Sequence, residues 1–262
     1  MKRLYTFIML LLLVLSATAQ ELDLTLNEKI AIQNLQDHIN HDRIETVAKH
    51  IAFPLKRNEY FDYNIESAVE FVNKYHTIFD KSQKQTFSTL DWSYSYVKPV
   101  MADEGYFCVL ASGFCGNFND DGLLCLDIIP LSETEISYIQ KLIEGEKNEL
   151  HPSIRDYKEP VCLIHVGRYR IRIDRMHDDS LRYASWKKVA PISSMPDLVI
   201  SNGEMFGNRW HTTFTFTNAE YTYKLVDALI DGSPVLSITK DDSVILELDT
   251  DVNYSFKYFV WY

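Results

Sequence analysis

From Val161 onward, every apolar stretch of this sequence is short and is closed by turn residues. That limits what the C-terminal part can become. Val161–Val166, Tyr169–Asp174, Leu181–Lys187 and Leu198–Ser201 come first. Thr212–Thr217, Tyr221–Val226, Val235–Thr239, Val244–Asp249 and Tyr254–Trp261 follow as a regular series. Asn218-Ala219-Glu220, Asp231-Gly232-Ser233 and Asp241-Asp242 supply the turns. Short strands at this spacing predict an all-β unit, a small barrel or a sandwich. The charged segment from His151 to Pro160, with two prolines, marks its start, so residues 151–262 read as one all-β domain.

The first half has a different period. Leu26, Ile30, Ile32, Leu35 and Ile39 recur at helical spacing and predict a helix over Asn27–Asn40, with Asn27 as a cap. Asp42 opens a second, shorter helix stopped by Pro54. Asn64 opens a third, whose stripe is Ile65, Ala68, Val69, Phe71, Val72, Tyr75 and Phe79. Trp92–Lys98, Tyr106–Ala111 and Leu123–Ile129 then read as strands. Ser132 and Glu135 form a capping box ahead of a helix through Ile143 that frays near Gly145. The fold class is therefore α+β, with N-terminal helices packed on a curved antiparallel sheet over residues 20–150.

The first 19 residues carry an address. Lys2 and Arg3 precede an unbroken apolar run from Phe7 to Leu15, and Ala17-Thr18-Ala19 offers small residues before Gln20. This is the three-part pattern of a cleaved secretory signal of bacterial type. The run is shorter than the ~20 residues that span a bilayer. No other apolar stretch approaches that length, so the expectation is a periplasmic or secreted protein without a transmembrane span.

In an oxidising compartment the four cysteines, Cys108, Cys115, Cys125 and Cys162, could form one or two disulfides, and spacing does not choose the pairing. No zinc-type spacing links them, and no metal or cofactor is expected. The 26 Lys+Arg stand against 37 Asp+Glu, a formal charge of −11. So acidic a chain lacks the footprint of a general nucleic-acid binder.

The blocks IETVAKHIAFPLKR and IESAVEFVNKYHTIFD, with Pro54, Phe71, Tyr75, Ile78 and Phe79, resemble the start of secreted bacterial proteins with an NTF2-like domain. That resemblance covers roughly residues 25–130 and implies a cone-shaped sheet with a pocket. Enzymes of that fold place a carboxylate and a hydrogen-bond donor in the cone, which here makes Tyr60, Asp62, Tyr75 and His76 the pocket candidates. Tyr75 and His76 are neighbours on one helix and point about 100° apart, so they do not serve one pocket equally. The C-terminal series, FTFTNAEYTYKLV followed by PVLSITKDDSVILEL, resembles small exported β-domains such as the periplasmic lysozyme-inhibitor barrels. Their cleft-entering loop has no match here beyond the composition of Ser201-Asn202-Gly203.

Two further patterns bear on chemistry. Asn117-Phe118-Asn119-Asp120-Asp121-Gly122 matches the first half of a calcium loop, but its twelfth position is Ile128, where a bidentate Glu is needed. Arg168, Arg170 and Arg172 alternate with Tyr169, Ile171 and Ile173, so the cations share one strand face. Burial favours the apolar trio inside and the arginine row outside, as a surface for a carboxylate or phosphate or as partners for the protein's own acids. The nucleophile-elbow, zincin, P-loop and dinucleotide motifs are absent. The expectation is a non-enzymatic module for an unidentified protein, glycan or small ligand. An NTF2-like isomerase or dehydratase, and an inhibitor or immunity-type partner of a secreted enzyme, are the alternatives.

Overall fold

The computed structural model describes residues 24–58, 60–90, 98–99, 107–208, 211–228, 235–249 and 257–258. The leader, most of Trp92–Lys98, the Asp231-Gly232-Ser233 turn and most of Tyr254–Trp261 lie outside them. The chain forms two compact units. The first takes the chain as far as Leu55 and then Ile65–Glu133; the second takes Lys56–Asn64 and Thr134–Trp261. Together they hold helices and a large curled antiparallel sheet, an α+β protein. Among the described residues no helix is long and apolar enough to cross a membrane.

In the first unit, α1 (Leu26–Asn40) is capped by Thr25, which forms a capping box with Glu28. This displaces the expected Asn27 cap: Thr25 sits in extended backbone and its hydroxyl accepts from the Glu28 amide. α2 (Ile44–Val47) runs into a 3-10 turn, Ala48–His50. α3 (Ala68–Ile78) is capped by Ser67, not by Asn64, which lies in a strand. α4 (Lys81–Ser88) carries little apolar character; Asp80 caps it through the Gln83 amide and Phe87 anchors it. Strands β3 (Lys98–Pro99), β4 (Phe107–Ala111), β5 (Phe114–Phe118) and β6 (Leu124–Ile128) form a four-stranded sheet in sequence order. The core joins helix and sheet through a chain of rings. Phe71 and Tyr75 stand 5.9 Å apart, Tyr75 and Phe79 5.6 Å, Phe79 and Phe87 6.1 Å, and Phe87 and Phe114 4.9 Å. Most meet edge to face, a geometry that adds ~0.5–1.5 kcal/mol per pair beyond area burial.

The second unit holds most of a short hairpin, β1 (Leu55–Asn58) with β2 (Tyr63–Ile65), and the long helix α5 (Glu133–Glu149). α5 continues through Gly145 where fraying was expected. From Glu159 on, every described element is a strand. β7 (Glu159–Val166), β8 (Tyr169–Arg175), β9 (Leu181–Lys187), β10 (Leu198–Asn208), β11 (His211–Asn218), β12 (Tyr221–Ala228), β13 (Val235–Lys240) and β14 (Ser243–Asp249) pair antiparallel in sequence order. β15 (Lys257–Tyr258) returns to pair with β7. Asp241 and Asp242 both take positive φ, the two-residue hairpin turn that suits strand twist.

The sheet bends at β10, whose first part pairs with β9 and whose second part pairs with β11. The register shift falls between Ile200 and Gly203. Ser201-Asn202-Gly203 is therefore a β-bulge, with Asn202 at φ 60°, and not a turn. Gly203 is required there, because a Cβ would lie 2.0 Å from the Phe216 ring. The inner face gathers Ile164, Ile171, Ile173, Tyr183, Phe214 and Phe216 into a second core.

Candidate functional site

The alternation expected for β8 is present. Ile171 and Ile173 are buried in the inner core, and Arg170, Arg172 and Asp174 occupy the opposite face. The expectation that the whole arginine row meets solvent fails at Arg172, which is 0% exposed. α5 and Tyr157 cover that face, and they bring the partners an ion needs. Arg172 donates through Nε to Asp174 (2.6 Å) and through both terminal nitrogens to Glu146 (2.9 Å each). Asp174 in turn accepts from Arg182 at 2.7 Å, and Arg182 also donates to the carbonyls of Ile154 and Asp156. Two arginines thus face two carboxylates. The Arg172 guanidinium also stacks 4.8 Å from the Tyr157 ring centre.

Glu146 is saturated. Besides Arg172 it accepts from the Tyr60 hydroxyl (2.5 Å) and the Tyr157 hydroxyl (2.8 Å). Burial pulls its pKa upward, but the Arg172 guanidinium and the two hydroxyls outweigh it and hold the carboxyl below its ordinary value. Burial pushes the Tyr60 and Tyr157 phenols up, so both stay protonated donors. A second buried pair closes the other end of the helix. Arg57 grips Glu135 through Nε (2.8 Å) and Nη2, with Tyr63 also donating to Glu135.

Of the four pocket candidates, only Tyr60 enters this network. Asp62 is exposed in the β1–β2 turn at φ 53°. Tyr75 lies in the core of the first unit, where its hydroxyl donates to the Ile39 carbonyl, and His76 beside it is exposed. Sequence reasoning gives no role to Glu146, Asp174 or Arg57, and assigns Glu135 only a place in a helix cap. Two spacings carried a signal for them. Arg172 and Asp174 are two apart on one strand, and Glu135 and Glu146 bracket the apolar stripe of α5.

The cysteines do not form a two-disulfide framework, because neither Cys125 nor Cys162 is disulfide-bonded. Cys162 is sealed in the inner core, and burial pushes the Cys125 thiol up. Cys115 is buried on β5; the Cys108 side chain lies outside the described residues. In the Asn117–Gly122 segment the Asn119 side chain accepts from the amides of Asp121 and Leu123, and Gly122 takes φ 74°. That is an Asx turn joining β5 to β6. Among the described residues no group of three acidic, His or Cys side chains is arranged to hold a metal ion.

The remaining arginines of the row stand at the outer end of β7, β8 and β9. Arg168 is exposed and folds onto the Tyr169 ring at 5.4 Å. Arg170 donates to His165 (3.0 Å) and to the carbonyls of Ala190 and Lys188. Lys187 and Lys188 join them, since the Lys188 amide bonds to the Arg168 carbonyl. Burial, with Arg170 and Lys188 close by, lowers the His165 pKa. Among the described residues, the side chains of Arg168, Arg170 and Lys187 form no ion pair, although the Lys187 amide donates to the Asp197 carboxylate at 3.0 Å.

The second unit also has an open cavity of about 390 Å³ along α5. Tyr60, Phe61 and Leu163 form one wall, and Lys141, Gly145 and Glu149 run along the helix side. Comparison with known proteins finds no family model, no curated protein and no solved structure that matches this chain.

Proposed function

We propose that this is an exported, non-enzymatic binding protein that takes ligands bearing carboxylate or phosphate groups on the cationic end of β7–β9. One contrast carries the reading. The buried arginines Arg57, Arg172 and Arg182 each have a carboxylate partner, as does the partly exposed Arg175 through Glu159. The side chains of Arg168, Arg170 and Lys187 pair with none among the described residues, in a chain of charge −11. Cationic side chains without an ion-pair partner suit an external anion, with Arg168 placed to offer a planar two-pronged contact. Glu146 argues against general-base chemistry near Tyr60, because four donors already stabilise its ionised form.

Within this reading the first unit is NTF2-like, supported by helices packed with a four-stranded antiparallel sheet. The second is a partly closed barrel, supported by the bend at β10. Export rests on Lys2, Arg3, the Phe7–Leu15 run and Ala17-Thr18-Ala19. Intact-mass analysis of exported protein is expected to show loss of residues 1–19; retained Met1 would refute that part.

Binding is tested with citrate and inorganic pyrophosphate by calorimetry at low and high salt. Arg168→Gln combined with Lys187→Gln removes cations that bond no backbone carbonyl, so the fold is expected to stay intact. Weaker, less salt-sensitive binding of either anion by the variant supports the site. Equal binding by wild type and folded variant, or no binding by either, rejects it.

A further inference from the structure

The cavity along α5 shares no residue with the cationic cluster of β7–β9, and its polar ends are placed with a regular spacing. Lys141, Gly145 and Glu149 follow at intervals of four, so they form one stripe along the helix. Lys141 and Glu149 are about 12 Å apart along the axis at 1.5 Å per residue, too far to neutralise one another directly. Both are exposed, and neither has an ion-pair partner among the described residues. Glu149 is the last residue of α5, where the helix dipole disfavours a carboxylate and favours a cation. Between the two charges Tyr60, Phe61, Leu142 and Leu163 line the groove, and Gly145 offers bare backbone; the Glu146 carboxylate also borders it, but Arg172, Tyr60 and Tyr157 already occupy that group. A Cβ added at Gly145 would meet nothing within 4 Å, so the middle of the groove has room.

We propose that this groove binds a short peptide with free termini, about three residues long, lying along α5. Its ammonium sits at Glu149, its carboxylate sits at Lys141, and its central side chain lies over Gly145 between Phe61 and Leu163. A tripeptide spans ~10 Å when extended, and the Lys and Glu side chains supply the remaining reach. The helix end fixes the polarity, since a ligand cation there offsets both Glu149 and the C-terminal carbonyls. The charges at the two ends are opposite, so a zwitterion fits where a simple anion or cation would satisfy only one.

The test is calorimetric titration of the purified protein with Ala-Phe-Ala, its N-acetylated form and its C-terminal amide. The free tripeptide is expected to bind, and each cap to weaken it about tenfold, the worth of one charge-assisted contact. Glu149→Gln is expected to weaken the free peptide and leave the acetylated one unchanged; Lys141→Gln does the same for the amide. Both positions are exposed, so the fold tolerates them. Gly145→Leu, which fills the groove with a good helix former, is expected to abolish binding of all three. Absence of free-peptide binding to folded wild type overturns the proposal. So does binding that is indifferent to both caps, or binding in which only one terminus matters. Loss of anion binding in the Arg168/Lys187 variant leaves this outcome unaffected, because no residue is shared.

Discussion

Glu135 and Glu146 stand on the same face of α5, eleven positions and about three turns apart, and each is held by an arginine from a different strand. Arg57 comes from the β1–β2 hairpin and Arg172 from β8 of the large sheet. Ile139 and Ile143 fill the stripe between them. The helix is thus pinned at two ends by ions and in its middle by apolar packing. Buried pairs of this kind add little over apolar packing, but they penalise the loss of one member.

Arg172→Ala is therefore expected to destabilise the protein by ~3–5 kcal/mol, because Glu146 and Asp174 lose their shared cation inside the protein. Arg172→Lys keeps the charge but loses the two-pronged contact, and is expected to recover only part of the loss. Urea denaturation followed by circular dichroism measures both. A loss under 1 kcal/mol for the alanine variant would mean the network contributes nothing specific.

His50 makes the first unit sensitive to mild acid. Its ring is buried, and Nδ1 donates to the Leu124 carbonyl at 2.8 Å, with His38 6.0 Å away. Burial, with a smaller contribution from His38, holds its pKa below 6.5. The unfolded chain then binds a proton more readily than the folded one. Stability is expected to fall as pH drops below 6.5 and to level off beneath the folded pKa. His50→Gln should flatten that component in thermal melts taken from pH 7.5 to pH 5.

Gly203→Ala places a methyl group against the Phe216 ring and is expected to cost ~1–3 kcal/mol through overpacking. Phe216→Leu opens room at the same spot. The double variant should be less destabilised than the sum of the singles, which a double-mutant cycle reads directly. Simple additivity would place the strain elsewhere.

Gly145→Ala is expected to act the other way. The position is helical and a Cβ there meets open space, so the substitution should stabilise by up to ~1 kcal/mol. A rise in melting temperature checks it.

The strands of the second unit were legible because their alternation and turns are local properties of the chain. Ile171 and Ile173 went inward as that pattern requires. What covers the opposite face is not a local property. Nothing near Arg172 announces that Glu146 and Tyr157 will meet it, so alternation alone puts the whole row on the surface, although only its Arg168 and Arg170 end remains reachable. α4 was missed for a related reason. KSQKQTFS has one apolar anchor, Phe87, and only the Asp80–Gln83 cap marks its start. The resemblance makes Tyr75 a pocket group, but a ring flanked by Phe71 and Phe79 at helical spacing is explained by core packing alone.

The β1–β2 hairpin has a consequence for the order in which the molecule can be completed. Tyr60 reaches Arg172 across 112 positions, and Arg57 reaches Glu135 across 78. Translation at ~5–20 residues per second leaves Tyr60 waiting roughly 6–22 s for that partner. The hairpin residues are made well before Glu135, and Glu135 in turn before Arg172. The second unit therefore has its earliest piece delivered before most of the first unit exists, yet it is the last to close.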